Sequence, residues 1–178
     1  MKIAWFCVPA HGHTNPTLAL VKELIDAGHE VHYFSFELFK EKLENLGAHF
    51  IACDGYASEM EDKENADRIG KDMAFATELL VSSTLALDEM LAENIEAIKP
   101  DIIVSDSIAY WGKLTAKKYN IPYVSSTTTF AFNKYSSRYI KRGAIEIIKM
   151  LLAMPRINKQ IKKLNWRKNN IYLYGHGE

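Results

Sequence analysis

Three side chains in this chain have types and settings that suit chemistry: His11, His13 and, more than ninety residues later, Asp106. An imidazole accepts a proton near neutral pH, and a carboxylate on its other nitrogen would fix its tautomer and steady the charge it gains. The histidines lie in Val8-Pro9-Ala10-His11-Gly12-His13-Thr14-Asn15-Pro16. A His-x-His pair also invites a metal, but no cysteine or carboxylate adjoins it in sequence, so no metal site is expected. The plainer reading, an exposed loop histidine, is preferred for His11 and not for His13. Neither G-x-G-x-x-G nor G-x-x-x-x-G-K-[ST] occurs, so the loop is neither a dinucleotide nor a triphosphate cradle. A receiver domain would need acids at this point and a lysine after the fifth strand; Asp54 follows the third strand without either partner.

The elements around these residues decide whether they can meet. Lys2 to Val8 is nearly all apolar and reads as a strand buried on both faces, hence part of a parallel sheet. Thr17 to Ile25 is apolar at helical spacing, with Asn15 as the expected N-cap, Pro16 at the first helical position and Gly28 closing the helix. Glu30 to Ser35 is a second strand, Phe36 to Leu46 a helix with Phe39, Leu43 and Leu46 on one face, and Ala48 to Cys53 a third strand. His29, His32 and His49 sit at no strand's C-terminal end and are read as structural. Asp54 to Asp72, with seven acids and three bases, reads as a surface loop. Met73 to Lys99 is a long helix, with a kink expected near Ser82-Ser83 and Pro100 beyond its end. Asp101 to Asp106 is a fourth strand, Ser107 to Tyr119 a helix, and Ile121 to Ser125 a fifth strand.

This succession predicts an α/β fold with a doubly wound, Rossmann-like parallel sheet of strand order 3-2-1-4-5. In that order the first and fourth strands are neighbours at the switch point, so His13 and Asp106 are expected to come together. The alternative for Asp106 is the N-cap of its own following helix. The threonine-rich loop from Ser125 to Phe130 falls on the same ligand side. From Tyr135 to Leu164 apolar residues recur at helical spacing, with Pro155 expected to divide two helices, and Ile171 to Tyr174 reads as a start of one more strand.

The segment from Pro9 to Pro16, together with Gly28-His29-Glu30-Val31, resembles the opening of family 1 glycosyltransferases, above all the bacterial macrolide type. The likeness is clear to about residue 120 and looser to about Trp166. It implies a single domain over 1–178, the N-terminal, acceptor-binding half of a GT-B fold, with a donor-binding domain absent and basic helices over about 134–168. It implies an inverting sugar transfer with no cofactor and no metal, and a nucleotide sugar of the UDP-sugar type as co-substrate, held mainly by the missing domain. The histidine of the G-H-x-N-P segment is that family's general base, which falls on His13, and an aspartate after a strand orients it, which falls on Asp106. Gly12, Phe75, Ser107, Thr127 and Phe130 are the expected contacts of a small, apolar, hydroxylated acceptor. The chain alone is expected to be inactive. The competing reading is a non-catalytic binding module, or a partner subunit of a split two-chain glycosyltransferase. A donor-domain partner chain or a homodimer is expected ahead of a membrane surface, and no nucleic acid.

Composition agrees with a soluble domain: 48% hydrophobic and 25% charged over 178 residues, with no apolar run of transmembrane length. Cys7 and Cys53 are far apart and read as reduced core residues of a cytoplasmic protein without a signal peptide. The zero net charge conceals a split, with a net of −9 over residues 1–133 and +10 over 134–168. That asymmetry fits either a surface for acidic partners or a basic helix folded back on an acidic body.

Overall fold

A computed structural model describes residues 1–54, 65, 68–69, 71–128 and 143–163. Five strands, β1 (Lys2–Phe6), β2 (Glu30–Ser35), β3 (His49–Ala52), β4 (Ile102–Asp106) and β5 (Tyr123–Ser126), form one parallel sheet in the order β3-β2-β1-β4-β5. This is the order expected from sequence. The central strands are apolar on both sides because helices cover both faces. On one face Ala4, Phe6 and Phe34 pack with Leu87, Leu91 and Ile95 of α4 (Met73–Ile98) and with Trp111 and Ala116 of α5 (Tyr110–Tyr119). On the other, Trp5, Val31 and Tyr33 meet Val21 of α2 (Leu18–Asp26) and Leu43 of α3 (Lys40–Glu44). α2 turns into β2 through Gly28, whose φ of +83° is a left-handed value that suits glycine.

Several boundaries differ from the sequence reading, each for a local reason. α4 runs unbroken through Ser82 and Ser83, where a kink was expected. The Ser82 hydroxyl donates to the Leu79 carbonyl at 3.0 Å and the Thr84 hydroxyl to Leu80 at 2.6 Å, so both are satisfied on the helix itself. Asp72 accepts from the Phe75 N–H at 3.1 Å and caps the start of α4. Pro155 does not divide two helices: α6 (Ala144–Lys163) continues through it. An internal proline costs about 3 kcal/mol in a helix. Here Pro155 is exposed, while Ala153 and Ile157 on either side are fully buried in a cluster with Ala74 of α4, which holds the helix together across the break. The loop after β3, most of 54–72, and the strand expected over 171–174 lie largely or wholly outside the described residues. Asp54 itself accepts from the Glu37 N–H at 2.9 Å, a structural cap for the short 3-10 turn Glu37–Phe39. His32 bonds Glu30 at 2.7 Å and stacks on His49, a structural use of both.

Candidate active site

The site forms where β1, β4 and β5 end side by side. β1 stops at Phe6, and the chain turns through Pro9 and Ala10 into α1 (His11–Thr14). The expected start at Asn15 and Pro16 is therefore corrected: the helix begins five residues earlier, at His11 behind Ala10. Ala10, extended at φ −132° and ψ 145°, presents its carbonyl to the N–H groups of His13 and Thr14 at 2.9 and 2.8 Å, with no side-chain cap. Pro16 has no N–H for the carbonyl of Gly12, and the helix tightens locally into the 3-10 turn Asn15–Thr17 before α2 continues. His13 consequently lies inside the first turn of the helix rather than in a loop ahead of it.

His13 and Asp106 meet as the strand order requires. The His13 Nδ1 hydrogen-bonds the Asp106 Oδ2, and the two side chains are 19% and 1% exposed. Asp106 is the last residue of β4, and its other oxygen, Oδ1, accepts from the Ile108 N–H at 2.9 Å. It is not the N-cap of α5, which starts at Tyr110 behind Ala109 without a side-chain cap. The carboxylate instead steadies the turn over 107–109, so one side chain orients both the imidazole and the loop. Burial disfavours its charge, but the hydrogen bonds from His13 and Ile108 outweigh that, and its pKa lies below the ordinary carboxylate value. Cys7 lies 3.8 Å from the same carboxylate, and burial pushes its pKa up to about 12, so it stands there as a neutral thiol.

The hydrogen bonds of the His13 ring among the described residues are made at Nδ1, and Nε2 has none there. His11 takes no part in this pair: its ring is edge-on to Phe39 with centroids 5.1 Å apart. Among the described residues no group of three His, Cys, Asp or Glu converges as a metal site. The other expected contacts are spread unevenly. A Cβ at Gly12 would meet nothing within 4 Å, so this position opens outward beside His13. Ser107 adjoins Asp106, with its hydroxyl 3.5 Å from Oδ1 and its N–H on the Ser126 carbonyl at 2.8 Å. Thr127 is exposed. Phe75, half-buried at the start of α4, carries the Arg68 guanidinium 3.9 Å over its ring and has no described contact with His13. Phe130 lies outside the described residues. The side chain that sequence reasoning missed is Thr128, whose hydroxyl is 3.0 Å from His13 Nδ1 and 3.4 Å from Asp106 Oδ2. The threonine-rich loop was visible as a ligand-side element, but beyond a strand end no periodicity tells which threonine turns inward. Cys7, next to Asp106, also lines a cavity about the size of one water, with Pro9, Phe34, Phe36, Leu87 and Trp111 in its walls. Ser35 also lines it, and its buried hydroxyl has no hydrogen-bond partner among the described residues.

No family model matches the chain. Individual proteins do. Demethyllactenocin mycarosyltransferase of Streptomyces fradiae is 29% identical over 171 residues, 90% of this chain and 37% of that protein. NDP-glycosyltransferase YjiC of Bacillus subtilis is 31% identical over 132 residues, 74% of this chain and 33% of that protein. Among solved structures, the glycotransferase of kitacinnamycin superposes with a TM-score of 0.65 at 21% identity, covering 91% of this chain and 38% of that one. The spinosyn rhamnosyltransferase SpnG, solved with thymidine diphosphate and with spinosyn aglycone, superposes with a TM-score of 0.58 at 16% identity, covering 78% and 38%. The described sheet and helices thus match part of a GT-B glycosyltransferase fold, and the chain spans about a third of the length of the curated relatives it matches. In sequence the chain is related to macrolide- and NDP-type glycosyltransferases, and its fold is that of part of a GT-B glycosyltransferase.

Proposed function

We propose that this chain is the acceptor-binding half of an inverting glycosyltransferase and that His13 is its general base. The observation that carries the reading is the His13–Asp106 pair at the open ends of β1 and β4, with Nε2 left free by Asp106. A hydroxyl is a poor nucleophile while it keeps its proton. His13 Nε2 takes that proton as the acceptor oxygen attacks the anomeric carbon of a nucleotide sugar. The new carbon–oxygen bond forms as the bond to the nucleotide phosphate breaks, and the electron pair leaves with the nucleotide diphosphate. Attack from the face opposite the leaving group inverts the anomeric centre. Asp106 holds Nδ1–H and balances the imidazolium that results, which is the division of labour in a serine-protease triad with the acceptor in place of serine.

The acceptor is a small apolar molecule carrying a hydroxyl. The name of the macrolide-type relative and the aglycone bound by SpnG support this. Gly12 and Ser107, next to the two catalytic groups, border the reacting hydroxyl, and Thr127 follows on the segment after β5. The nucleotide sugar binds chiefly to a donor-binding part outside these 178 residues, so the chain alone gives no turnover. SpnG, solved with a nucleotide and with an aglycone, supports the pairing of substrate types.

The test is transfer by the chain joined to a donor-binding part. His13→Ala should reduce the rate by about 10²–10⁴-fold while the melting curve stays where it was. Near-full activity in a folded His13→Ala protein would remove His13 from the mechanism.

A further inference from the structure

Side chains from three parts of the chain meet at one carboxylate oxygen. Asp106 Oδ2 meets His13 Nδ1, and the Thr128 hydroxyl stands 3.4 Å from Oδ2 and 3.0 Å from Nδ1. Thr128 follows β5 by two residues, so the contact ties the segment leaving that strand to the dyad.

The protons at this junction can be assigned. A carboxylate only accepts, a hydroxyl donates once and also accepts, and each imidazole nitrogen either donates or accepts. If Nδ1 were bare, its lone pair would face the Asp106 lone pairs, and the single hydroxyl proton could serve only one of them. If Nδ1 carries the proton, it donates to Asp106 Oδ2, the Thr128 hydroxyl donates to the same oxygen, and the hydroxyl oxygen lies beside Nδ1–H as a secondary acceptor. Every group is then satisfied, and Nε2 keeps its lone pair.

The hydroxyl has a second consequence. The other strong donor to this carboxylate, the Ile108 N–H, is on Oδ1. Near Oδ2, apart from His13, stands the weakly donating Cys7 thiol at 3.8 Å. The threonine proton therefore fixes the orientation of Oδ2 and makes it less ready to draw the proton off Nδ1.

We propose that Thr128 is a positioning residue of the dyad, whose hydroxyl holds Asp106 Oδ2 and selects the Nδ1–H tautomer of His13. This rests on the reading of His13 as the base, but its test needs no transfer reaction. The ring nitrogens of His13 are observed by ¹⁵N NMR in the 178-residue chain and assigned by their loss in His13→Gln. The wild type should show one tautomer, protonated at Nδ1 and bare at Nε2. Thr128→Ser keeps the hydroxyl and should preserve that pattern. Thr128→Val, close to threonine in shape, should lower the Nδ1–H population and mix the two tautomers, and Thr128→Ala should do the same if valine disturbs the fold. A Thr128→Val spectrum matching the wild type, or a serine variant as disturbed as valine, would overturn the proposal. Asp106→Asn separates the two levels. If it shifts the ring signals while Thr128→Val does not, the dyad stands and Thr128 has no part in it; if Asp106→Asn changes nothing, dyad and proposal fall together.

Discussion

At the residue scale, Asp106 links the site's chemistry to the stability of the fold. Its folded-state pKa is lowered: burial works against the charge, but hydrogen bonds from His13, Ile108 and Thr128 more than compensate. A carboxyl that binds its proton less readily folded than unfolded contributes its full stabilisation above the unfolded pKa. That contribution is lost as pH falls through the folded value, hence below about pH 4. Asparagine at this position does not titrate there. Unfolding free energy measured from neutral pH into acid should therefore fall more steeply for the wild type than for Asp106→Asn, and parallel curves would assign the acid lability to other groups. In the chain joined to a donor-binding part, the same variant should lose transfer activity while losing little stability. Its amide oxygen can still accept from Ile108, whereas its NH₂ turned toward Nδ1 favours the wrong tautomer. A sharp loss of stability with full activity in the remaining folded protein would reduce Asp106 to a clamp for the turn over 107–109.

At the element scale, two glycines show how closely the helices are set on the sheet. A Cβ at Gly112 of α5 would come within 2.3 Å of the Ser105 Oγ and 2.9 Å of Phe6 Cδ2, so Gly112→Ala must push α5 off β4. Overpacking of this kind costs about 1–3 kcal/mol. Because Ser105 precedes Asp106, the shift should also disturb the dyad. Gly12→Ala meets open space in an ordinary helical conformation and should be neutral or stabilising by up to about 1 kcal/mol. Urea unfolding of both variants checks the contrast, and equal midpoints would refute it. These elements also show what the sequence made legible. Buried parallel strands announce themselves as continuous apolar runs, as in Lys2 to Val8, and short connections leave few topologies, so the meeting of His13 and Asp106 could be anticipated. The start of α1 could not, because Ala10 caps it with its backbone and leaves no side-chain signature. Pro155 misled for a related reason: a proline reports its local cost, not the burial of Ala153 and Ile157 that outweighs it. Thr128 was hidden in a run of five hydroxyl residues, Ser125 to Thr129, and sequence alone does not tell which of them turns to the dyad.

At the scale of the whole molecule, the charge split noted in the sequence is partly explained by α6 lying on α4. Lys149 pairs with Asp72 at 3.4 Å and Arg156 with Glu78 at 2.8 Å, so basic helix and acidic body face each other. Such exposed, solvent-screened pairs contribute little, and the burial of Ala153 and Ile157 holds the helix more firmly. Only part of the expected apolar stripe is used in this way. Met154, Ile157 and Ile161 pack inward, but Ile147 and Leu151 do not. Together with Ile145, Ile148 and Leu152 they form a contiguous outward face, with Ile145, Leu151 and Leu152 each 65–71% exposed. An apolar patch of this kind marks a contact surface. The chain is therefore expected to self-associate, with sedimentation velocity showing a larger species as concentration rises through tens of micromolar. Replacing both Leu151 and Leu152 with Glu should restore the monomer, with each substitution changing stability by no more than about 0.5 kcal/mol, since neither side chain is packed. A wild-type chain that stays monomeric throughout that range, and that also fails to sediment with anionic vesicles, would show that this face is not an adhesive surface.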